Sequence, residues 1–280
     1  MSATGFAELA TGLNHPEGLC WNPSDGLIYA GGEDGEIYAV TLEGDVRQIG
    51  RTGGSMLGLA CDGCGCVYAC DAGAGAVVRI RPTDGTFETV IPGADGAPLD
   101  TPNMLAFGPD GSLFVTCSGE DGHPTIVRRR PDGGVERFSD DVRAYPNGCV
   151  VTPDGDALLV VESHGQRVVR VPIRGDGSAG PPETICELPD TDPDGIALDE
   201  DGALWITRYR PDGLVRIDPS GDVEVVVDDP LARTFDAPTN LAFCGSDRSI
   251  AGVANVGDRY LSIGDLGVRG AARHLPEPSW

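Results

Sequence analysis

The sequence contains no apolar run long enough to cross a membrane, which takes about 18 or more consecutive apolar residues. Basic residues are also scarce: 20 Lys and Arg stand against 44 Asp and Glu, so the formal net charge is −24 at pH 7. This charge repels nucleic acids and anionic membranes, and we expect neither as a partner. The first residues, MSATGFAELATG, show neither a basic region nor an apolar core, so we expect no secretory signal and a cytoplasmic protein.

Aromatic residues make up only 6% of the chain, and the nine cysteines are an odd number that we expect to stay as free thiols. Four of them, Cys61, Cys64, Cys66 and Cys70, crowd into the segment CDGCGCVYAC. Zinc or an iron–sulfur cluster can use such spacing. Each of the four also falls on an ordinary strand or turn position of the repeat described next, so we favour a structural role for them.

Turn-forming residues are abundant, with 41 Gly and 22 Pro, and they punctuate an internal repeat. Each unit has a short apolar run, an Asp/Gly-type turn and a second apolar run, a pattern typical of β-hairpins. The six units are HPEGLCWNPSDGLIYA, SMLGLACDGCGCVYAC, TPNMLAFGPDGSLFVT, YPNGCVVTPDGDALLVV, DPDGIALDEDGALWIT and APTNLAFCGSDRSIAGV.

One residue at the start of each unit serves as an anchor for measuring the period. The anchors are Glu17, Leu57, Asn103, Asn147, Asp194 and Asn240, at spacings of 40, 46, 44, 47 and 46 residues. Such a period, with three or four short strands per unit, is typical of propeller blades. We predict an all-β, six-bladed β-propeller formed by residues 1–280 as one domain. The ring is closed by a strand from FAELATGL or, alternatively, from AARHLPEPSW.

The anchors are also candidates for a metal site, because equivalent positions of a propeller form a ring around the central channel. Five anchors carry oxygen and only Leu57 is apolar. A ring of carboxylates and amides without Lys or Arg repels itself unless a cation lies in the middle, and such hard ligands favour calcium, magnesium or manganese over zinc. Turn capping would explain Asn and Asp, but not Glu17. We therefore predict one divalent metal ion, calcium first with Zn, Mn or Mg as alternatives, held by Glu17, Asn103, Asn147 and Asp194.

The loop after the second strand of each unit returns to the same mouth of the channel. These loops carry Ser118, Glu120, His123, Glu162, Ser163, His164, Arg208, Tyr209 and Asn255, and His15 lies on the same face. As substrate-binding candidates we take Asn103, His123, His164, Arg208 and Tyr209. Arg208 would bind an anion, and His164 would donate a proton.

Three anchor segments, HPEGLCWNP, YPNGCVVTPDG and DPDGIALDEDGALWI, carry a family resemblance. Over about residues 10 to 260 the sequence resembles the regucalcin/gluconolactonase family. The resemblance implies a six-bladed propeller that opens sugar or other lactones, with a divalent metal bound by Glu17, Asn147 and Asp194. In the related diisopropyl fluorophosphatase type a second Asn, here Asn103, also binds the metal.

Two positions depart from the family pattern. Met104 stands where members often have Asp, and Thr101 stands where sugar lactonases similar to regucalcin have Arg. Together with Met56 and Leu57, Met104 would make the pocket more apolar than that of a gluconolactonase. A less hydroxylated substrate is therefore expected.

We expect a metal-dependent hydrolase that opens a lactone ring, with Asp194 acting as base or as nucleophile. The metal would polarise the carbonyl and activate water. Two alternatives stay open: the same site acting on a phosphoester or other activated bond, or on a secondary metabolite without hydrolysis, and a non-catalytic calcium-binding propeller. The partner would be a small molecule, a lactone or related cyclic compound, and the chain a monomer or a small homo-oligomer.

Overall fold

A computed structural model describes residues 5–278 and 280, and its strands form six four-stranded antiparallel sheets. In chain order the strands are β1 (Phe6–Thr11), β2 (Leu19–Asn22), β3 (Leu27–Gly31), β4 (Glu36–Val40), β5 (Val46–Arg51), β6 (Met56–Cys61), β7 (Val67–Asp71), β8 (Ala76–Arg81), β9 (Thr86–Ile91), β10 (Pro102–Phe107), β11 (Leu113–Cys117), β12 (Thr125–Arg129), β13 (Val135–Ser139), β14 (Pro146–Val151), β15 (Ala157–Glu162), β16 (Arg167–Pro172), β17 (Glu183–Glu187), β18 (Asp192–Leu198), β19 (Leu204–Arg210), β20 (Gly213–Ile217), β21 (Val223–Asp228), β22 (Pro238–Cys244), β23 (Ile250–Asn255) and β24 (Tyr260–Asp265).

These sheets are the blades of a six-bladed β-propeller, as the repeat predicts. Blades 1 to 5 are β2–β5, β6–β9, β10–β13, β14–β17 and β18–β21, each in chain order from the innermost strand outward. Blade 6 begins with β22 on the inside, and its outermost strand is β1. In the part of the chain that the structure describes, no helix is long and apolar enough to cross a membrane.

The N-terminal strand closes the ring. Strand β1 pairs antiparallel with β24, from Phe6 opposite Gly264 to Thr11 opposite Tyr260. Of the two closing segments predicted from the sequence, FAELATGL is therefore the one used. Strand β1 thus belongs to the same sheet as β22, β23 and β24. This pairing covers the strand edge of β24 and joins the last blade to the first.

Asp-Gly turns join the first two strands of several blades, as predicted for hairpins. Gly111 joins β10 to β11 at a φ of 85°, and Gly202 joins β18 to β19 at 85°. Side chains other than glycine are strained at such positive φ values, which is why glycine occupies these tight turns.

The apolar core is divided into six clusters, one at each junction between neighbouring blades. Between blades 1 and 2, for example, Tyr29 packs in the same cluster as Met56. Between blades 6 and 1, where the chain ends meet, Trp21 shares a cluster with Leu261. Each fully buried large side chain contributes about 1.5–3 kcal/mol relative to an exposed one. The closing junction is thus stabilised by the same kind of burial as the other five.

The chain after β24, residues 266–278 and 280, crosses the base of the propeller as a C-terminal strap. It runs over the ends of the inner strands, opposite the anchors. Its hydrogen bonds join Ala271 N–H to the Leu198 carbonyl (2.9 Å), Arg273 to the Trp21 carbonyl (2.6 Å), His274 Nε2 to the Thr152 carbonyl (2.9 Å) and Gly63 N–H to the Pro276 carbonyl (2.7 Å). The strap thereby ties blades 1, 2, 4 and 5 together.

The strap also closes one end of the central channel. A cavity of about 110 Å³ lies between the inner strands and strap residues Ala271–Leu275, and its walls are mainly apolar. Leu105, Val150 and Ile196 are among the side chains that line it. The strap therefore covers the end of the channel that lies opposite the anchors.

Glycine follows the anchor in four blades because the inner strands approach each other closely there. A Cβ atom on Gly18 would lie 2.0 Å from the Leu57 carbonyl oxygen, and one on Gly148 would lie 2.5 Å from the Asp194 carbonyl oxygen. Both distances are far below normal contact. The dipeptides EG, LG, NG and DG of the repeat therefore reflect the tight packing of neighbouring blades around the channel.

We expect Gly148→Ala to lower the free energy of unfolding by about 1–3 kcal/mol, the usual cost of overpacking. The added methyl group must push the inner strand of blade 4 away from that of blade 5. Gly175→Ala is the matched control, because a Cβ there meets nothing within 4 Å. Thermal unfolding of the two variants measures the difference, and equal melting temperatures would contradict the close approach.

Candidate metal centre

Each anchor of blades 3, 4 and 5 lies at an interruption of the strand pairing, just after a proline. In blade 3, Pro102 pairs with Cys117, and the next pair is Leu105 with Val115. Between these two pairs the chain advances three residues along β10 but only two along β11, so β10 carries one extra residue. The same shift occurs in blades 4 and 5 around Asn147 and Asp194. A β-bulge of this kind re-aims a side chain.

The anchor oxygens are buried and lack hydrogen-bond donors. This is unusual, because the large majority of buried polar atoms in proteins are hydrogen-bonded. The anchor oxygens without a partner are Glu17 Oε2, Asn103 Oδ1, Asn147 Oδ1 and Asp194 Oδ1, and Asn240 Oδ1 is a fifth. All five are acceptors. They cannot satisfy one another unless a proton or a cation lies between them.

Serine side chains fix the direction of the two anchor amides. Asn103 Nδ2 donates to Ser118 Oγ at 3.0 Å, and Asn147 Nδ2 donates to Ser163 Oγ at 3.1 Å. Each serine hydroxyl then donates to the backbone carbonyl just before the next blade's anchor, at 3.0 and 2.7 Å. Because the amide nitrogens are held by these serines, the amide oxygens are the atoms left without a partner.

The sixth anchor is Thr239 rather than Asn240. Pro238 pairs with Asn255 and the next pair is Leu241 with Val253, the pattern seen in blade 3, and the position after the proline is Thr239. Residue type predicts Asn240 as the sixth anchor, whereas the strand pairing selects the residue before it. Asn240 instead occupies the position that is glycine in blades 1, 2, 4 and 5.

Burial dominates the electrostatics of the two anchor carboxylates. Burial raises the pKa of Asp194 to about 8, against which the neighbouring Asn147 amide acts. Burial also raises the pKa of Glu17 well above its usual value, and the charge of Asp194 adds to this. Two carboxylates that share a buried space cannot both ionise cheaply without a cation.

The anchor oxygens fit a hard divalent cation. Two carboxylates supply a charge of −2 and two amides supply neutral oxygens, the donor set that calcium accepts. Within residues 5–278 and 280, no group of three or more His, Cys, Asp or Glu side chains converges into a metal site. The anchor set contains only two such residues, and amide oxygens complete it. This composition disfavours zinc, which prefers His and Cys.

Arg208 does not extend freely into the mouth. It is buried, and its guanidinium pairs with Asp228 at 2.8 Å and donates to the Val227 carbonyl at 3.2 Å. Tyr209, the next residue, is exposed and lies under the guanidinium of Arg210 at 4.8 Å. The structure thus gives Arg208 a partner on the outer strand of its own blade.

His164, Tyr145 and Glu120 form a cluster beside the anchors. The Tyr145 hydroxyl donates to Glu120 Oε1 at 3.0 Å, and its ring lies against exposed His164 with centroids 4.6 Å apart. Burial raises the pKa of the Tyr145 hydroxyl, and the hydrogen bond to Glu120 and the charges of Glu120, Asp194 and Glu17 add to the shift. The sequence reasoning missed Tyr145, although it lies two residues before Asn147 in the segment YPN.

Other predicted loop residues hold loops in place. Glu162 accepts the Arg143 and Ala144 N–H groups, both at 2.8 Å, just before the blade 4 anchor. Asn255 accepts the Asp236 N–H at 3.1 Å. Glu162 also pairs with Arg167 at 2.6 Å, and Asn255 Nδ2 donates to Ser262 Oγ at 3.0 Å, so both side chains already have partners within the protein.

Histidines 15 and 123 lie on the same face. His15 Nδ1 lies 2.9 Å from the Val256 carbonyl, which joins the approach to Glu17 to the last loop of blade 6. His123 is exposed, and its backbone N–H donates to the Asp100 carboxylate at 3.0 Å. Their positions agree with the predicted direction of the strands, because both lie on the loop side of the anchors.

The cysteine-rich segment forms a hairpin of blade 2. Cys61 and Cys70 are buried in β6 and β7, whereas Cys64 is exposed in the turn between them. The N–H groups of Cys64 and Cys66 both donate to Asp62 Oδ1 at 2.9 Å. The turn is therefore built around Asp62, and all nine cysteines, each within the described residues, are free thiols.

A family model described as SMP-30/Gluconolactonase/LRE-like region matches residues 82–254, more than half of the chain. The chain belongs to this family. Membership agrees with the resemblance that the anchor segments carry. The matched residues include Asn103, Asn147 and Asp194, while Glu17 lies before them.

The individual curated proteins to which the chain is similar are only distant relatives. Protein strictosidine synthase-like 4 of Arabidopsis thaliana is 27% identical over 223 residues, covering 72% of this chain and 59% of that protein. L-arabinolactonase of Azospirillum brasilense is 29% identical over 134 residues, covering 47% of this chain and 43% of that protein. The chain thus matches about half the length of these curated relatives.

The solved structure of the calcium-binding protein regucalcin from Agrobacterium tumefaciens superimposes with a TM-score of 0.78 at 19% identity. The match covers 99% of this chain and 98% of that chain. At this identity the likeness shows the propeller fold.

The raised carboxyl pKa values predict how stability depends on pH when divalent ions are chelated. An unfolded Asp ionises near pH 4, whereas folded Asp194 has a pKa of about 8. The stabilising contribution of the protonated carboxyl is therefore complete below about pH 4 and is lost as pH rises towards 8. In chelator, the melting temperature of the wild type should fall more from about pH 5.5 to pH 8 than that of Asp194→Asn.

Calcium should remove this difference by stabilising the ionised carboxylates. Parallel pH profiles for the wild type and Asp194→Asn in chelator would contradict the buried-carboxylate interpretation.

Proposed function

We propose that the protein is a metal-dependent hydrolase that opens a lactone ring, with the cation at the anchor mouth of the channel. One observation carries the proposal: Glu17, Asn103, Asn147 and Asp194 each present a buried oxygen with no donor. Family membership and the similarity to an L-arabinolactonase support the lactone as substrate class.

Calcium is the favoured ion. The four proposed ligands are all oxygens, and calcium binds six to eight oxygens at about 2.3–2.6 Å, so positions are left for water and substrate. The similar fold of regucalcin, described as a calcium-binding protein, supports the same ion. Bulges, serine contacts and close blade packing hold the ligands before the ion arrives, which lowers the cost of organising the site.

A divalent cation bound there would polarise the lactone carbonyl and lower the pKa of water. We assign Asp194 as the base that takes a proton from the attacking water, with attack by the same carboxylate as the alternative. Water adds to the carbonyl carbon and the ring C–O bond breaks. The proton held by Asp194 then passes to the departing oxygen, which gives the open hydroxy acid.

The rim of the mouth favours a neutral, weakly hydroxylated lactone. Leu57 takes the blade 2 anchor position, and the Arg208 guanidinium is paired with Asp228 rather than free to bind an anion. Tyr145 and His164 supply an aromatic edge on blade 4. We therefore propose His123, His164 and Tyr209 as substrate contacts. Arg208 instead stabilises its own blade through the ion pair with Asp228.

A non-hydrolytic reaction at the same site is the second candidate. The match to a strictosidine synthase-like protein spans 72% of this chain, more than the match to the lactonase does. A panel of lactones, organophosphates and cyclic ketones separates the two candidates. Turnover of a lactone supports the proposal, and calcium binding without turnover of any class would point to a non-catalytic propeller.

Asp194→Asn should abolish lactone hydrolysis and weaken calcium binding, because it removes the base and one of two ligand charges. Asp201→Asn is the matched control: it lies on the same blade, exposed, in the hairpin at the other end of β18. Its activity should equal that of the wild type. Hydrolysis by Asp194→Asn at the wild-type rate, measured on a lactone that the wild type turns over, would disprove the assignment.

Serine variants test whether Asn103 binds metal or substrate. If both amides bind the metal, Ser118→Ala and Ser163→Ala should each weaken calcium binding by about 10–100-fold, the usual effect of removing a group that orients a ligand. Calorimetric titration of calcium measures this, with exposed Ser220→Ala as control. If Ser118→Ala raises KM while calcium affinity stays at the wild-type value, Asn103 binds substrate instead.

A further inference from the structure

Asn240 interrupts a ring of glycines around the channel. The residue after the anchor is glycine in blades 1, 2, 4 and 5, where a Cβ atom would lie 2.0 to 2.5 Å from the nearest atom of the next blade. Blade 6 carries Asn240 at this position. The junction between blades 6 and 1 therefore admits a polar side chain where most junctions admit none.

The Asn240 side chain lies between the blades that carry the two anchor carboxylates. Its Nδ2 donates to the Glu17 carbonyl at 3.2 Å. Its Oδ1 lies 3.1 Å from the position that a Cβ on Gly195 would take, directly after Asp194. Because the nitrogen is fixed by the Glu17 carbonyl, the identity of the free atom is also fixed: it is the oxygen.

This oxygen has no hydrogen-bond donor although Asn240 is only 1% exposed. Leaving a buried acceptor unsatisfied costs about 1–3 kcal/mol. The partnerless atoms of Glu17 and Asp194 are acceptors as well. A proton on one carboxyl group satisfies one more oxygen at most, whereas a cation satisfies the whole set.

We propose that Asn240 Oδ1 is a fifth protein oxygen of the axial cation site, contributed by blade 6 from one residue beyond its anchor. The inference rests on the proposed metal centre. Blade 6 thus takes part in ion binding although its own anchor is Thr239, whose hydroxyl donates to the Glu17 carbonyl at 2.6 Å.

Calcium titration of metal-stripped protein by calorimetry tests this assignment, together with thermal melting in chelator. Asn240→Leu should bind calcium at least about tenfold more weakly, a loss within the range for groups that support a metal site. In chelator it should melt no lower than the wild type, because it also removes the unsatisfied oxygen. Asn240→Asp should bind calcium more tightly than Asn240→Leu, because it keeps an oxygen at this position. In chelator Asn240→Asp should melt at a lower temperature than Asn240→Leu, because it adds a third buried carboxylate.

Thr239→Val is the matched control, since it removes the other hydrogen bond to the Glu17 carbonyl without removing an oxygen that faces the ion. Its calcium affinity should stay within about threefold of the wild type, less than the loss expected for a metal-supporting group. Wild-type affinity in Asn240→Leu, or an equal loss in Thr239→Val, would overturn the role of Asn240.

Calcium binding by the wild type and by the variants distinguishes a wrong role for Asn240 from the absence of a metal centre. If the wild type binds calcium and Asp194→Asn does not, while Asn240→Leu binds normally, only the role of Asn240 is lost. If the wild type binds no divalent ion, both fall.

Discussion

The convergence of buried oxygens at one mouth of the channel is the constraint on which the inner part of this propeller depends. Two carboxylates and two amides come together there, and Glu17, Asn103, Asn147 and Asp194 each have one buried oxygen without a hydrogen-bond donor. Burial without a cation disfavours the ionised form of these carboxylates, in line with the raised pKa of Asp194. The local features around the anchors all act to hold it: prolines and bulges aim the side chains, serines orient the amides, and glycines let the blades approach.

Much of this arrangement is predictable from the sequence because the repeat carries it. The period, the Asp-Gly hairpins and the anchor column define six blades, and the six four-stranded sheets confirm that fold. The family match confirms the resemblance. The roles of the anchors stay predictions, supported by their partnerless oxygens.

What the sequence could not reveal depends on contacts between distant residues. Arg208 looks like a free cation until the outer strand places Asp228 beside it, 20 residues later. Tyr145 becomes part of the mouth only when Glu120 and His164 come to it from two different loops. For the sixth anchor, residue type favours Asn240, because it matches the other anchors. Strand pairing, which the sequence does not show, selects Thr239.

The most direct test of the central claim is a crystal structure of the calcium-loaded protein with the ion located by its anomalous scattering. We expect one ion at the anchor mouth, about 2.3–2.6 Å from side-chain oxygens of Glu17, Asn103, Asn147 and Asp194. Loaded crystals in which these oxygens contact only water, or in which the ion lies elsewhere, would contradict it.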